Sequence, residues 1–170
     1  MVTIRPERAD DAAAIRAAHR ASFPTDAEAR VVDRLRASGN ARVSLVAESN
    51  GRVVGHILFS PVAIVAAATR LPGLALAPLA VTPAHQRCGI GSALVRDGLA
   101  TCRREGHAFV VVLGHPEYYP RFGFRRASTA GLGNEYGADE AFMVFELQPG
   151  SLPATGLVRY GAEFDEWRRA

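Results

Sequence analysis

The chain has 170 residues, 48% hydrophobic and 22% charged, with a net charge of +3. That length suits one domain with a buried core, and the composition argues against disorder. Every basic residue other than histidine is arginine, so no lysine is present to form a Schiff base or complete a Walker phosphate loop.

Val2 to Arg5 alternates and predicts a first strand. Asp10 or Asp11 can cap a helix running to about Ser22, with Ile15, Ala18 and Ser22 on one face. Phe23-Pro24 breaks it. Thr25-Asp26-Ala27-Glu28 fits a capping box, followed by Val31, Val32 and Leu35 as the apolar stripe of a second helix. Gly39-Asn40 stops that helix. Val43 to Glu48 predicts a strand, Asn50-Gly51 a type I′ hairpin turn, and Arg52 to about Ala66 a long returning strand. Leu74 to Thr82 predicts a further strand. Pro78 inside it demands a bulge or a locally unpaired edge.

Gly89 to about Glu105 predicts a helix with Ile90, Leu94, Leu99 and Cys102 facing inward. Ala108 to Leu113 is wholly apolar, as suits a strand buried on both faces. A short helix is expected over Pro116 to Phe122. Final strands are expected over Phe124 to Ala127 and Ala141 to Leu147, with a Gly-rich loop at Leu132 to Asp139 and a short strand near Leu157 to Arg159. The order is mixed α/β, with a domain over residues 1–150 and a tail over 151–170 that packs on the domain or on a partner chain.

No apolar run reaches the roughly 18 residues of a membrane span. The start lacks the basic-then-apolar pattern of a signal peptide, so a cytoplasmic location is expected. Cys88 and Cys102 form no CxxC pair, and the five histidines show no metal-ligand spacing, so neither a disulfide framework nor a metal is expected. Arg103-Arg104 and Arg125-Arg126 lack interleaved aromatics, which argues against nucleic acid as a partner.

The stretch Gln86-Arg87-Cys88-Gly89-Ile90-Gly91 lies between a strand and a helix. A helix start offers unpaired N–H groups and the positive end of a dipole, and glycines let an anion approach the backbone. The stretch therefore suits a phosphate-bearing ligand. The same glycines also suit a plain strand-to-helix turn. A dinucleotide fingerprint is excluded: it needs a third glycine and an acidic residue at the end of the next strand, which here ends in Leu113-Gly114-His115.

Gln86-Arg87-Cys88-Gly89-Ile90-Gly91 resembles the Gln/Arg-x-x-Gly-x-Gly/Ala signature of the GCN5-related N-acetyltransferase (GNAT) family. Leu79-Ala80-Val81-Thr82-Pro83 is similar to that family's approach strand. Tyr119-Pro120-Arg121-Phe122-Gly123-Phe124 matches its later tyrosine and Gly-Phe turn. Within the family the chain looks closest to a bacterial subfamily of N-acetyltransferases carrying GPLAV and YYxRFGF, with Ala77 in place of the first glycine. The resemblance implies a central, mostly antiparallel twisted sheet flanked by helices, its fourth and fifth strands parallel and splayed. It implies acetyl-CoA as donor, with the pyrophosphate on the amides from Arg87 to Ser92 (Arg87, Cys88, Gly89, Ile90, Gly91 and Ser92) and Gln86 beside them. The pantetheine would lie along Leu79, Ala80 and Val81, with the Val81 amide facing the developing oxyanion. It implies Tyr119 as the acid that protonates the leaving thiolate, since a phenol is protonated at neutral pH.

Tyr119 and Tyr118 also suit an aromatic cluster with Phe122 and Phe124. The resemblance implies that Glu28 falls on the acceptor side, as a candidate base, although a capping box would explain it equally. Glu117, His56 and His115 are further candidates for the base, and a water chain is another. Cys88 would serve an acyl-cysteine route, whereas the resemblance implies direct attack in a ternary complex. The acceptor is expected to be a primary amine. A dimer through the C-terminal strands or tail is compatible with the resemblance. A non-catalytic acyl-CoA-binding or regulatory module is the alternative reading.

Overall fold

The computed structural model describes residues 1–169, which pack as two compact units. Met1–Ser60 with Ala77–Thr101 forms the first; Pro61–Leu76 with Cys102 onward forms the second.

In the first unit, β1 (Val2–Pro6) runs antiparallel to β2 (Val43–Ser49), which runs antiparallel to the first part of β3 (Arg52–Ala66). Asn50 and Gly51 both take positive φ, 48° and 73°, as the type I′ turn requires. A register shift at Ala47/Glu48 interrupts the β2–β3 ladder. β3 is neighboured by β4 (Thr69–Val81), which starts earlier than the sequence suggests because the turn after Ala66 lets the ladder resume at once.

Helices α1 (Ala12–Ser22) and α2 (Ala27–Ala37) follow β1. The α1 start is built differently from the expected cap. The Asp11 carboxylate accepts the Arg8 N–H at 2.7 Å and is gripped by Arg5 at 2.6 and 2.9 Å, leaving no side-chain cap on α1 itself. The Arg5 hydrogen bond is the main reason Asp11 is held down at about 2. Phe23, extended at φ −125°, ends α1 before Pro24.

The capping box expected at Thr25–Glu28 does not form. Asp26 is the residue flanking α2, so Glu28 stands one position too early to reach back to the cap. The Thr25 hydroxyl accepts the Ala27 N–H at 3.3 Å instead, and the Glu28 Oε2 is buried with no partner. Val31, Val32 and Leu35 face inward as expected. α3 (Ile90–Arg104) buries Ile90, Leu94, Leu99 and Cys102, and Phe59 of β3 occupies the space left by Gly98.

In the second unit, β4 pairs in parallel with β5 (Phe109–Leu113), and β5 pairs antiparallel with β8 (Phe142–Glu146). β8 also carries β6 (Arg125–Arg126). The Gly-rich loop contains a short strand, β7 (Leu132–Asn134), parallel to β9 (Gly156–Tyr160). β9 lines Val62–Val65 of β3, so the tail adds a strand to the sheet. A last turn, α4 (Asp165–Arg168), follows. The core of this unit is apolar: Ile64, Phe109, Val111, Phe142, Val144 and Val158 are at most 1% exposed. A methyl group at Gly73 would run into the Phe109 ring, which explains the glycine.

Candidate active site

The parallel ladder between β4 and β5 has three rungs, Leu74–Val110, Ala75–Val111 and Leu76–Val112. It stops directly before Ala77-Pro78, where proline has no N–H to donate. Leu79, Ala80 and Val81 carry β4 onward without a rung to β5. Ala80 is buried, and Leu79 and Val81 are half-buried.

At the end of β4 the Val81 carbonyl accepts two hydrogen bonds. One comes from the Ser22 hydroxyl of α1 and one from the Gln86 side-chain amide, both at 2.9 Å. Gln86 therefore ties its own turn to the strand. Thr82 continues with an N–H bond to the Val54 carbonyl at 2.9 Å, and its hydroxyl meets His85 Nδ1 at 2.9 Å.

The turn itself is exposed from Gln86 to Gly89, with His85 before it half-buried, and Ile90 then anchors α3 in the core. Arg87 and Gly89 both take left-handed φ, 59° and 83°. That geometry folds the chain back so that α3 begins at Ile90. A Cβ on Gly89 would meet nothing within 4 Å. Glycine is required here by backbone angle, and its bare face opens onto free space rather than onto packed protein. The Cys88 thiol is exposed and leans on the Gln86 carbonyl at 3.3 Å. An open turn, backbone N–H groups at a helix start and the Arg87 charge together make a site for an anionic group. These residues fit a diphosphate.

Tyr119 lies in the second unit, only 7% exposed, edge-on to Tyr118 at 5.1 Å and to Phe124 at 5.6 Å. The aromatic cluster anticipated from the sequence is therefore real. Among the described residues no protein group accepts the Tyr119 hydroxyl proton. Burial, and then Tyr118 beside it, push its phenol well above the ordinary value, so the O–H stays protonated across the physiological range. Gly114 exists to make room for this ring, since a Cβ there would strike it. His115 and Glu117 line an open groove of about 460 Å³ with Pro116, Tyr118 and Arg121.

His56 is fully buried on β3 and belongs to a polar chain that the sequence did not announce. His19 Nε2 meets His56 Nδ1 at 2.8 Å, and His56 Nε2 meets the Ser44 hydroxyl at 2.8 Å. Ser44 donates to Glu7 Oε2, and Arg36 donates to Glu7 Oε1 at 2.7 Å. Burial alone would raise the Glu7 carboxyl, but His56 3.7 Å away and the hydrogen bonds from Ser44 and Arg36 override it and hold Glu7 at about 2. Burial lowers both histidines. His19 sits at about 3, with the His56 and Arg36 charges adding to the effect. The available signal is two polar residues, His19 and Ser22, on the inward face of an amphipathic helix.

Among the described residues no cluster of His, Cys, Asp and Glu is placed to hold a metal ion, and no helix is long and apolar enough to cross a membrane.

The fold and the open turn define an acyltransferase, and comparison with known proteins agrees. The acetyltransferase (GNAT) domain family matches residues 3–127, and the chain belongs to that family. It is 39% identical over 167 residues to the uncharacterised N-acetyltransferase YhbS of Escherichia coli K12, covering 96% of this chain and 99% of that protein. The crystal structure of E. coli YhbS in complex with CoA superposes with a TM-score of 0.89 at 37% identity, covering 96% of this chain and 92% of that one. A GNAT acetyltransferase from Brucella melitensis in complex with acetyl-CoA gives a TM-score of 0.82 at 38% identity, covering 97% and 99%.

Proposed function

We propose that this chain transfers the acetyl group of acetyl-CoA to a primary amine, by direct attack within a ternary complex. The observation that carries the reading is the open Gln86–Gly89 turn, with left-handed Arg87 and Gly89 facing free space at the start of α3. The relatives crystallised with CoA and acetyl-CoA support it.

Acetyl-CoA supplies the activated acyl carbon. The chain's own residues do the rest. Arg87, Cys88, Gly89, Ile90, Gly91 and Ser92 present backbone N–H groups to the diphosphate, and Gln86 braces the turn through Val81. Leu79, Ala80 and Val81 offer backbone groups that β5 does not use, and the Val81 N–H serves the developing oxyanion. Glu28, with an unpartnered buried carboxylate oxygen, receives the acceptor's ammonium group and takes its first proton. Tyr119 keeps its O–H for the leaving thiolate. A cytoplasmic location and a domain over residues 1–150 with a tail over 151–170 are part of the same reading.

The test is a thiol-release assay with acetyl-CoA and a panel of primary amines spanning polyamines, amino acids and peptide N-termini. Amine-dependent CoA release that Tyr119→Phe suppresses is the expected result. Tight acetyl-CoA binding with no release for any amine would instead indicate a binding module that does not turn over.

A further inference from the structure

A protonated amine has two protons to lose before it becomes an amide, and the roles above name a receiver for only the first. The polar chain of the first unit points to the second. Glu7 is ionised and ion-paired with Arg36 at 2.6 Å, and a carboxylate can only accept hydrogen bonds. Ser44 gives its one proton to Glu7, so its oxygen must accept from His56 Nε2. His56 is buried and neutral, which leaves its Nδ1 bare to accept from His19 Nε2. His19 is neutral in turn. Every donor therefore points toward Glu7, and the chain ends in a lone pair on His19 Nδ1.

That nitrogen is buried and has no partner. A buried acceptor without a donor is costly, so a ligand that supplies one is favoured. Its surroundings fit an acceptor amine. Ser22, one helical turn further along the same face of α1, donates to the Val81 carbonyl. Ion pairs Arg16–Asp33 at 2.9 Å and Arg20–Asp26 at 3.3 Å set α1 and α2 antiparallel, which brings the start of α2, where Glu28 lies, to the level of His19. Glu28 Oε2 is likewise a buried acceptor without a partner.

We propose that His19 Nδ1 takes the second proton during acyl transfer, with His56, Ser44 and Glu7 as the relay that fixes its tautomer and accepts its charge. This rests on the acetyl-transfer reading above. As the C–N bond forms and the C–S bond breaks, the proton on the cationic nitrogen passes to His19 Nδ1. The His19 Nε2 proton passes to His56 Nδ1, leaving an imidazolium that faces Ser44 and Glu7, the latter at 3.7 Å. The thiolate takes the Tyr119 proton. Arg36 opposes the new charge, while Glu7 and Asp11 favour it. Burial closes Nδ1 to bulk water, so the proton arrives from the bound amine or through one intervening water.

The test uses the full chain labelled with 15N-histidine and saturated with CoA. Imidazole correlation spectra should show Nε2–H on both histidines and bare Nδ1 on both, and n-butylamine should shift the His19 Nδ1 resonance. A proton on His19 Nδ1, or no shift at the highest amine concentration, overturns the relay. His19→Gln keeps a donor for His56 and replaces the basic Nδ1 by an amide oxygen that accepts hydrogen bonds but takes up no proton. With n-butylamine as acceptor it should lower kcat about a hundredfold while acetyl-CoA affinity is unchanged. Ser44→Ala should lower kcat and displace the pH profile, and Ser44→Thr should restore both. Equal kcat for wild type and His19→Gln sinks the relay alone. Failure of the wild type to bind acetyl-CoA sinks the acetyl-transfer reading and leaves the tautomer spectrum standing.

Discussion

The two units bury their interiors in opposite ways. Among the described residues Asp11, His19, His56 and Ser60 are the buried polar side chains outside the tyrosines, and all four lie in the first unit. The second unit closes around aliphatic and aromatic side chains, with an edge-on series Tyr136, Tyr160, Phe164 and Trp167 at 5.2–5.3 Å centroid spacing. Burying a histidine pair is a cost that stability alone does not require, because an apolar core of equal volume does as well. The first unit thus carries polar groups at the expense of stability, and the second supplies stability and the shielded Tyr119 phenol.

If that contrast is right, the second unit should respond to truncation as an ordinary core. Phe109→Ala should lower unfolding free energy by about 3–5 kcal/mol in urea titrations, and a loss below about 1 kcal/mol would mean the ring is not held as described. Tyr119→Phe should behave differently, because nothing among the described residues accepts its hydroxyl proton. Stability should stay within about 0.5 kcal/mol, while kcat should fall about a hundredfold. A stability loss with unchanged kcat would make Tyr119 a packing residue.

The first unit should show its polar interior in acid. His19 and His56 are neutral in the fold because burial lowers them, whereas in the unfolded chain they protonate near the ordinary value of about 6.5. The unfolded state therefore binds more protons below that pH. Stability should drop as pH falls, by up to about 1.4 kcal/mol per pH unit for each histidine, and for His19 this continues toward about 3. Glu7 has the ordinary carboxylate sign: its contribution is present above its unfolded value and disappears as pH falls toward about 2. Urea midpoints from pH 7 to 4.5 check this, and His19→Gln should flatten the slope. A slope that is the same in the variant would contradict a neutral buried His19. Ser22→Ala removes the one hydroxyl proton that Ser22 shares between the Ala18 carbonyl at 2.7 Å and the Val81 carbonyl at 2.9 Å, and should cost about 1 kcal/mol, read from the same titrations.

Local chemistry alone announces much of the fold and the open turn. The element order through β5, the type I′ turn at Asn50-Gly51, the interruption at Pro78 and the turn at Gln86–Gly91 are each set by a few adjacent residues. The capping box at Thr25–Glu28 misleads, since the pattern is satisfied by two helix starts one residue apart and only tertiary packing chooses between them. β4 begins earlier than its apolar pattern implies because the turn at Ala67, with φ 49°, carries no glycine to mark it. The polar chain is invisible for a different reason. Glu7 follows β1, while His19, Ser44 and His56 come from α1, β2 and β3, and only the register of those elements brings them together.

The first experiment to make is isothermal titration of the purified chain with acetyl-CoA, beside CoA and ATP, repeated on Gly89→Trp. Acetyl-CoA and CoA should bind at micromolar concentration and ATP more weakly. All three should be lost in the variant, whose side chain would fill the open face of the turn while the protein stays folded by circular dichroism. No acetyl-CoA binding at millimolar concentration, or undiminished binding by a folded Gly89→Trp, would remove the turn from the role assigned to it.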